Sequence, residues 1–207
     1  MNHSVAPLSQ AIAAHTALID HTHFVVDIET FGKPPSGAIA AIGCIRIDQG
    51  TITANYYARV SLITSMAEGG QVDASTIQFW LKQSFDARSE VDGSMRSLSI
   101  SVALQGLADF INSGPHRELD HLVWGKGPNF DNAILEGAYK RSGIPLPWKY
   151  NASRCIRTML SMYPSLLDIP FHGTHHHALD DARHEAVQLC AALALHNAAH
   201  TTARSTP

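Results

Sequence analysis

The sequence is poor in cysteine, has no long apolar run and shows no excess of positive charge. Each shortage removes a class of protein. The three cysteines, Cys44, Cys155 and Cys190, are far apart and odd in number, so the chain encodes neither a disulfide framework nor a cysteine zinc site. They read as reduced core thiols of a cytoplasmic protein. No stretch approaches the ~18 consecutive apolar residues of a membrane span, and Met1 to Ser9 has no basic segment ahead of an apolar one, which argues against a secretory signal. With a formal net charge of −3, any nucleic-acid partner must be held by a local basic patch and bound metal rather than by a general positive field. What is present suffices for one core. A chain of 207 residues that is 45% hydrophobic suits a single domain, which on folding buries roughly 70% of the surface its unfolded chain exposes.

The most informative stretch is Asp27-Ile28-Glu29, at the end of the apolar run Phe24-Val25-Val26. Such a run reads as a buried strand, and its period of two puts Asp27 and Glu29 on one face with Ile28 on the other. Two like charges side by side in a buried setting require either a protonated partner or a cation between them. For an all-oxygen site that cation is Mg²⁺ or Mn²⁺. By themselves the two acids could equally cap a turn and pair with a lysine or arginine.

Around this stretch the chain divides readily. Ser9 to Asp20 can form a short helix or serve as a mobile leader. After the acids, Gly32-Lys33-Pro34-Pro35-Ser36-Gly37 cannot continue a strand, so the carboxylates sit where a strand gives way to a loop. Ala38 to Asp48 and Thr51 to Val60, joined through Gln49-Gly50, read as a hairpin. Asp73 and Ser75 are candidate caps of a helix through Ile77, Phe79, Trp80 and Leu81, with the mixed tail Lys82 to Arg88. Trp80 is read as core, with a base-stacking surface as the alternative. Ser99 to Ile111 carries Val102, Leu104, Leu107, Phe110 and Ile111 at helical spacing. Leu122 to Gly125 is a short buried strand, and Asn129 is placed to cap a helix from Phe130 that stops at Gly143. Asp131 in its first turn complements the helix dipole, yet it also displays a carboxylate at a strand-to-helix junction. Trp148 to Ser153 reads as an edge strand and Ile156 to Met162 as a helix. Beyond Ala178, alanine and leucine continue at helical spacing to about Asn197, and His200 to Pro207 reads as a frayed end.

Between these lies Phe171-His172-Gly173-Thr174-His175-His176-His177-Ala178-Leu179-Asp180-Asp181-Ala182-Arg183. The histidines could form a zinc tract, a solvated loop or, beside acids, a proton-transfer site.

A D-x-E on the first strand, an aspartate opening a mid-chain helix and H-x-x-x-x-D leading the last helix together resemble the DEDDh group of 3′-to-5′ exonucleases. Val26 to Thr30, Trp124-Gly125 with Asn129 to Asn132, and His176 to Arg183 are similar, more closely, to phage and prophage exonuclease VIII-like proteins. The resemblance spans about Phe24 to Leu193. It implies an α/β, RNase H-like mixed sheet of three N-terminal strands with an antiparallel hairpin and further strands, flanked by helices. The chain then comprises a leader (1–20), an exonuclease domain (21–199) and a tail (200–207). The resemblance further implies two ions, Mg²⁺ or Mn²⁺, bridged by Asp27. Glu29 and Asp181 complete the site that activates water, and Asp131 holds the second ion directly or through water. Two ions ~3.5 to 4 Å apart stabilise both the attacking and the leaving oxygen of an in-line displacement. His176 takes the role of general base.

The register of the last motif needs choosing, because His175 with Asp180 has the same spacing as His176 with Asp181. On a helical wheel the stripe Leu179, Ala182, Ala186, Leu189, Leu193 has Asp181 at its edge and Asp180 on the far side, which favours Asp181. His176, five residues earlier, must then come from the preceding loop. Thr30, Phe31, Trp124 and Asn132 are the candidate substrate contacts, with Lys126, Arg154, Arg157 and Arg183 as candidate phosphate holders or ordinary surface charges. Phe31 is favoured, as an exposed aromatic in a glycine- and proline-rich loop. The expected partner is single-stranded or 3′-overhang DNA or RNA, and related enzymes are often homodimers. The rival readings are a nuclease-fold protein that binds nucleic-acid ends or a protein without cutting, and a zinc-binding module built on the histidines.

Overall fold

A computed structural model describes residues 18–115 and 121–205, with side chains as far as residue 199. Five strands form one mixed sheet in the order β3-β2-β1-β4-β5. β1 (Thr22–Thr30) lies at its centre, antiparallel to β2 (Ile39–Asp48) and parallel to β4 (His121–Gly125). β3 (Thr51–Arg59) pairs antiparallel with β2, and β5 (Ser153–Cys155) runs parallel to β4 at the other edge. The expected hairpin closes through Gln49 and Gly50, both at positive φ (50° and 74°), the turn geometry that matches strand twist.

Alternation along β1 divides its residues between two cores. Phe24, Val26 and Ile28 pack with Leu104, Leu107 and Ile111 of α4 (Ile100–Asn112) and Ile134 and Leu135 of α5 (Asp131–Arg141). Val25 points the other way, into Ile156 and Met159 of α6 (Ile156–Ser161) and Ala182, Ala186 and Leu189 of α7 (Ala178–Ser205). Asp27 and Glu29 share Val25's face, so both carboxylates leave the sheet toward α7. The start of α7 can lie directly on the sheet because residue 43 is glycine. A Cβ there would stand 2.2 Å from the Ala178 carbonyl oxygen.

Between β3 and α4 the chain makes three short helices: α1 (Leu62–Ala67), α2 (Ala74–Trp80) and α3 (Phe85–Ser89). Asp73 caps α2 by accepting the Ser75 amide at 2.9 Å. The charged tail Lys82 to Arg88 does not prolong α2, because Ser84 caps α3 afresh by accepting the Ala87 amide. Trp80 is core, as read from the sequence. Its Nε1–H donates to the Thr30 carbonyl at 2.8 Å and ties α2 to the end of β1.

Several boundaries differ from expectation. On α4 the buried stripe is Ile100, Ala103, Leu104, Leu107, Ala108 and Ile111, while Val102 is 55% exposed. Asn129 does not cap α5. Phe130 occupies the cap position without a side-chain hydrogen bond, since the Asp131 carboxylate turns back to accept the Lys126 amide. The edge strand is Ser153–Cys155 rather than Trp148 to Ser153, because Trp148 is buried against Tyr139 and the chain turns through Lys149 to Ala152. α7 continues past Asn197 to Ser205, so the expected frayed end is helical that far. Of the proposed leader helix, Leu18–Asp20 forms a 3₁₀ turn and the remainder lies outside the described residues. Among the described residues no helix is long and apolar enough to cross a membrane.

Candidate active site

Asp27 and Glu29 from β1, Asp131 from the start of α5, Asp181 from the first turn of α7 and His176 from the loop before it line one open cavity of about 660 Å³. Each carboxylate is held differently. Asp131 accepts the Lys126 amide at 2.9 Å where β4 turns into α5. Asp181 accepts the amide of His176 at 2.8 Å, which draws the histidine loop back over the helix start. Asp180 points elsewhere, accepting the Thr174 amide at 2.9 Å, and Asp181 is the one of the two that lines the cavity. His176 sits at φ 63°, a left-handed conformation unusual for a side-chain-bearing residue. Its ring meets the ring of Phe79 edge-on at 5.1 Å and that of Trp80 at 6.1 Å.

The electrostatics of the cavity are those of crowded acids. Burial, then the charges of Asp181 and Asp131, push Glu29 up to about 8. Asp27 is raised well above the carboxylate range, first by burial and then by Glu185, Asp131, Glu29 and Asp181. Burial raises Asp131 to about 6 against the opposing hydrogen bond from the Lys126 amide. Carboxyls that resist ionisation together, all offering oxygen, are the donor set that suits a hard divalent cation. Donor atoms of Glu29, His176 and Asp181 already lie within 4.8 Å of one another.

The expected substrate contacts divide. Thr30 lines the cavity, its hydroxyl donating to the Gly32 carbonyl. Phe31 is not exposed; it is half-buried, tilts against Trp80 at 6.0 Å and does not line the cavity. Trp124 faces the core beneath α6 and α7, where its Nε1–H donates to His23 Nδ1 at 2.9 Å. Asn132 is buried and donates to the Val123 carbonyl, fastening α5 to β4. Lys126 and Arg157 line the cavity; Arg154 and Arg183 are exposed outside it.

In place of the displaced candidates the cavity presents Phe79, 41% exposed, and Phe130, 38% exposed, together with Lys33. Phe130 stands directly before Asp131 and was legible as a neighbour; Phe79 needed the path of α2. A further acid, Glu185, is fully buried with its Oε1 3.2 Å from Lys126 Nζ, and burial raises it to about 8. Its signal was present, for it lies one turn after Asp181 inside the apolar stripe of α7. The histidine run, by contrast, disperses. His176 faces the cavity, His177 stacks on Tyr57 and His175 stacks on Phe171 at 4.0 Å, so among the described residues the run builds no multi-histidine metal site.

This sheet order, with acids on the central strand and the last helix across it, is the RNase H-like fold of the DEDDh exonucleases. The chain matches the nuclease domain of 3′hExo, a DEDDh family member bound to rAMP, with a TM-score of 0.59 at 14% identity, covering 86% of this chain and 94% of that one. It matches cell-death related nuclease 4 with a TM-score of 0.57 at 14% identity, over 87% of this chain and 66% of that one. An E. coli exonuclease I–ssDNA complex matches with a TM-score of 0.59 at 13% identity, covering 83% of this chain; the chain spans only 40% of that protein. The model of the 3′-5′ exoribonuclease Rv2179c-like domain matches residues 22–193. The chain belongs to that family. No curated protein sequence matches it.

Proposed function

We propose that this chain is a divalent-metal-dependent 3′-to-5′ exonuclease that hydrolyses the terminal phosphodiester bond of a single strand or 3′ overhang and releases nucleoside 5′-monophosphates. The observation that carries this reading is the convergence of Asp27, Glu29, Asp131 and Asp181 from three separate elements on one cavity, with His176 at its edge. Asp27, Glu29 and Asp181 would hold one Mg²⁺ or Mn²⁺ ion, and Asp27 with Asp131 a second. Bound there, the ions supply activation of water and charge stabilisation at the departing 3′ oxygen. The imidazole of His176 takes the proton of the attacking water. Lys126 and Arg157 offer charge to the phosphates. Phe79 and Phe130 offer faces on which the terminal base can stack, and Thr30 borders the sugar.

The family's exoribonuclease description favours RNA, and DNA is the comparator. The motifs Val26 to Thr30, Asn129 to Asn132 and His176 to Arg183 support a place near the phage and prophage exonuclease VIII-like proteins. The three free cysteines support a reducing, cytoplasmic setting, and a homodimer is the assembly to look for by light scattering. The function is tested on 5′-labelled RNA and DNA of matched sequence with Mn²⁺, Mg²⁺ or EDTA, alongside Asp27→Ala and His176→Ala. A metal-dependent ladder shortening from the 3′ end, lost in Asp27→Ala and slowed to a small residual rate in His176→Ala, is expected. Strands left intact by the wild type would reject the catalytic reading.

A further inference from the structure

His176, at φ 63°, is followed in the chain by a residue fixed from several sides. The next residue, His177, closes the start of α7: its carbonyl accepts the amides of Asp180 at 2.9 Å and Asp181 at 3.0 Å. Its ring lies flat on Tyr57 of β3, with centroids 4.9 Å apart and planes 17° from parallel. Nδ1 accepts the Asp180 amide at 3.3 Å, which leaves the proton on Nε2, 3.4 Å from the Glu90 carboxylate.

Glu90 is the hub of this arrangement. It is buried just after α3, accepts a hydrogen bond from the Tyr57 hydroxyl and pairs with Arg59 Nη2 at 2.6 Å. A buried carboxylate gripped from β3 and facing the histidine loop has few alternative arrangements, because any displacement leaves a charge without partners. The same arm of the chain grips the neighbouring histidine through the α2 rings of Phe79 and Trp80. Tyr57 reaches this loop, and Arg59 reaches Glu90, because β3 alternates in phase with the acids: across the sheet Asp27 stands opposite Gly43 and Gly43 opposite Tyr57.

We propose that Glu90, with Tyr57 and His177, forms a clamp that positions His176 for proton abstraction. This role rests on the reading of His176 as the general base. Glu90 and His177 are positioning residues, acting through their neighbour and not on the substrate.

The test compares Glu90→Gln and His177→Phe, the latter keeping the stack on Tyr57 while removing both ring nitrogens. Each is made in the wild-type and the His176→Ala backgrounds and assayed on a labelled oligonucleotide with Mn²⁺. In the wild-type background kcat is expected to fall about tenfold or more, with KM changed less than about threefold; in the His176→Ala background the further loss is under about twofold, since residues acting as a unit are not additive. Hydrogen exchange over residues 172–177 is expected to quicken in both single variants while exchange in β1 is unchanged. The clamp is overturned by an equal loss in both backgrounds, by a kcat equal to wild type or by unchanged exchange in the loop. Should Glu90→Gln not fold, His177→Phe gives the same readouts. Full activity in His176→Ala would instead overturn the general-base reading, and the clamp's role with it.

Discussion

The two faces of the central strand teach different lessons. Toward α4 and α5, β1 presents Phe24, Val26 and Ile28, an unbroken apolar surface that only has to be filled. Toward α7 it presents Val25, then Asp27 and Glu29, so one face is core at one end and acid at the other. The apolar face stabilises the fold by burial. The acidic end opposes it, since like charges sharing a dry site raise the free energy of the folded state until a cation joins them.

The sharpest way to separate the two is Asp27→Asn. Activity on 3′ ends should fall below detection, while the metal-free protein should gain stability: a gain of about 1 kcal/mol corresponds to about 2–4 °C in Tm for a domain of this size. A melting curve and a nuclease assay on one preparation check both signs. Val26→Ala on the opposite face should do the reverse, lowering Tm with little effect on chemistry.

Next in size is Gly43→Ala. The added methyl has no room beneath the Ala178 carbonyl, so the start of α7 must lift. Overpacking of this kind costs about 1–3 kcal/mol. Because Asp181 and His176 ride on that segment, activity should fall further than the stability loss alone would cause, as kcat and denaturant midpoints measured together would reveal.

A smaller effect comes from pH. Glu29 and Glu185 both rise to about 8 in the folded chain. A carboxyl whose folded pKa is raised contributes stability fully present below its unfolded value near 4.5, and that contribution is lost as pH rises through 8. The metal-free protein should therefore weaken across that window. Mn²⁺ should restore it, so the metal-induced rise in Tm should be larger at pH 8 than at pH 6. Equal rises at the two values would place the cation away from these acids.

Much of this arrangement was legible in the residues, and the remainder was hidden for a physical reason. Strand alternation put Asp27 and Glu29 together, and a helical wheel chose Asp181 over Asp180. Both inferences use the internal period of one element, which the sequence carries in full. Phe31, Trp124 and Asn132 were nominated because they neighbour the acids in sequence. Trp124, in register with Val25, lies on the acids' face but in the core beneath α7 rather than at the acidic end, Phe31 lies past the end of β1 against Trp80, and Asn132 turns back to the Val123 carbonyl, so nearness in sequence did not carry these side chains into the cavity. Phe79 and Glu90 had no local signal at all. They reach the site only because the segment from α2 to α3 folds back over the end of β1, a contact made across long stretches of chain.

The catalytic reading depends on the four carboxylates holding divalent cations. Crystals soaked in Mn²⁺ and measured at its absorption edge test it directly. Two anomalous peaks are expected among Asp27, Glu29, Asp131 and Asp181, both absent from Asp27→Asn crystals. Peaks confined to His172, His175 and His184, with none between the acids, would contradict it.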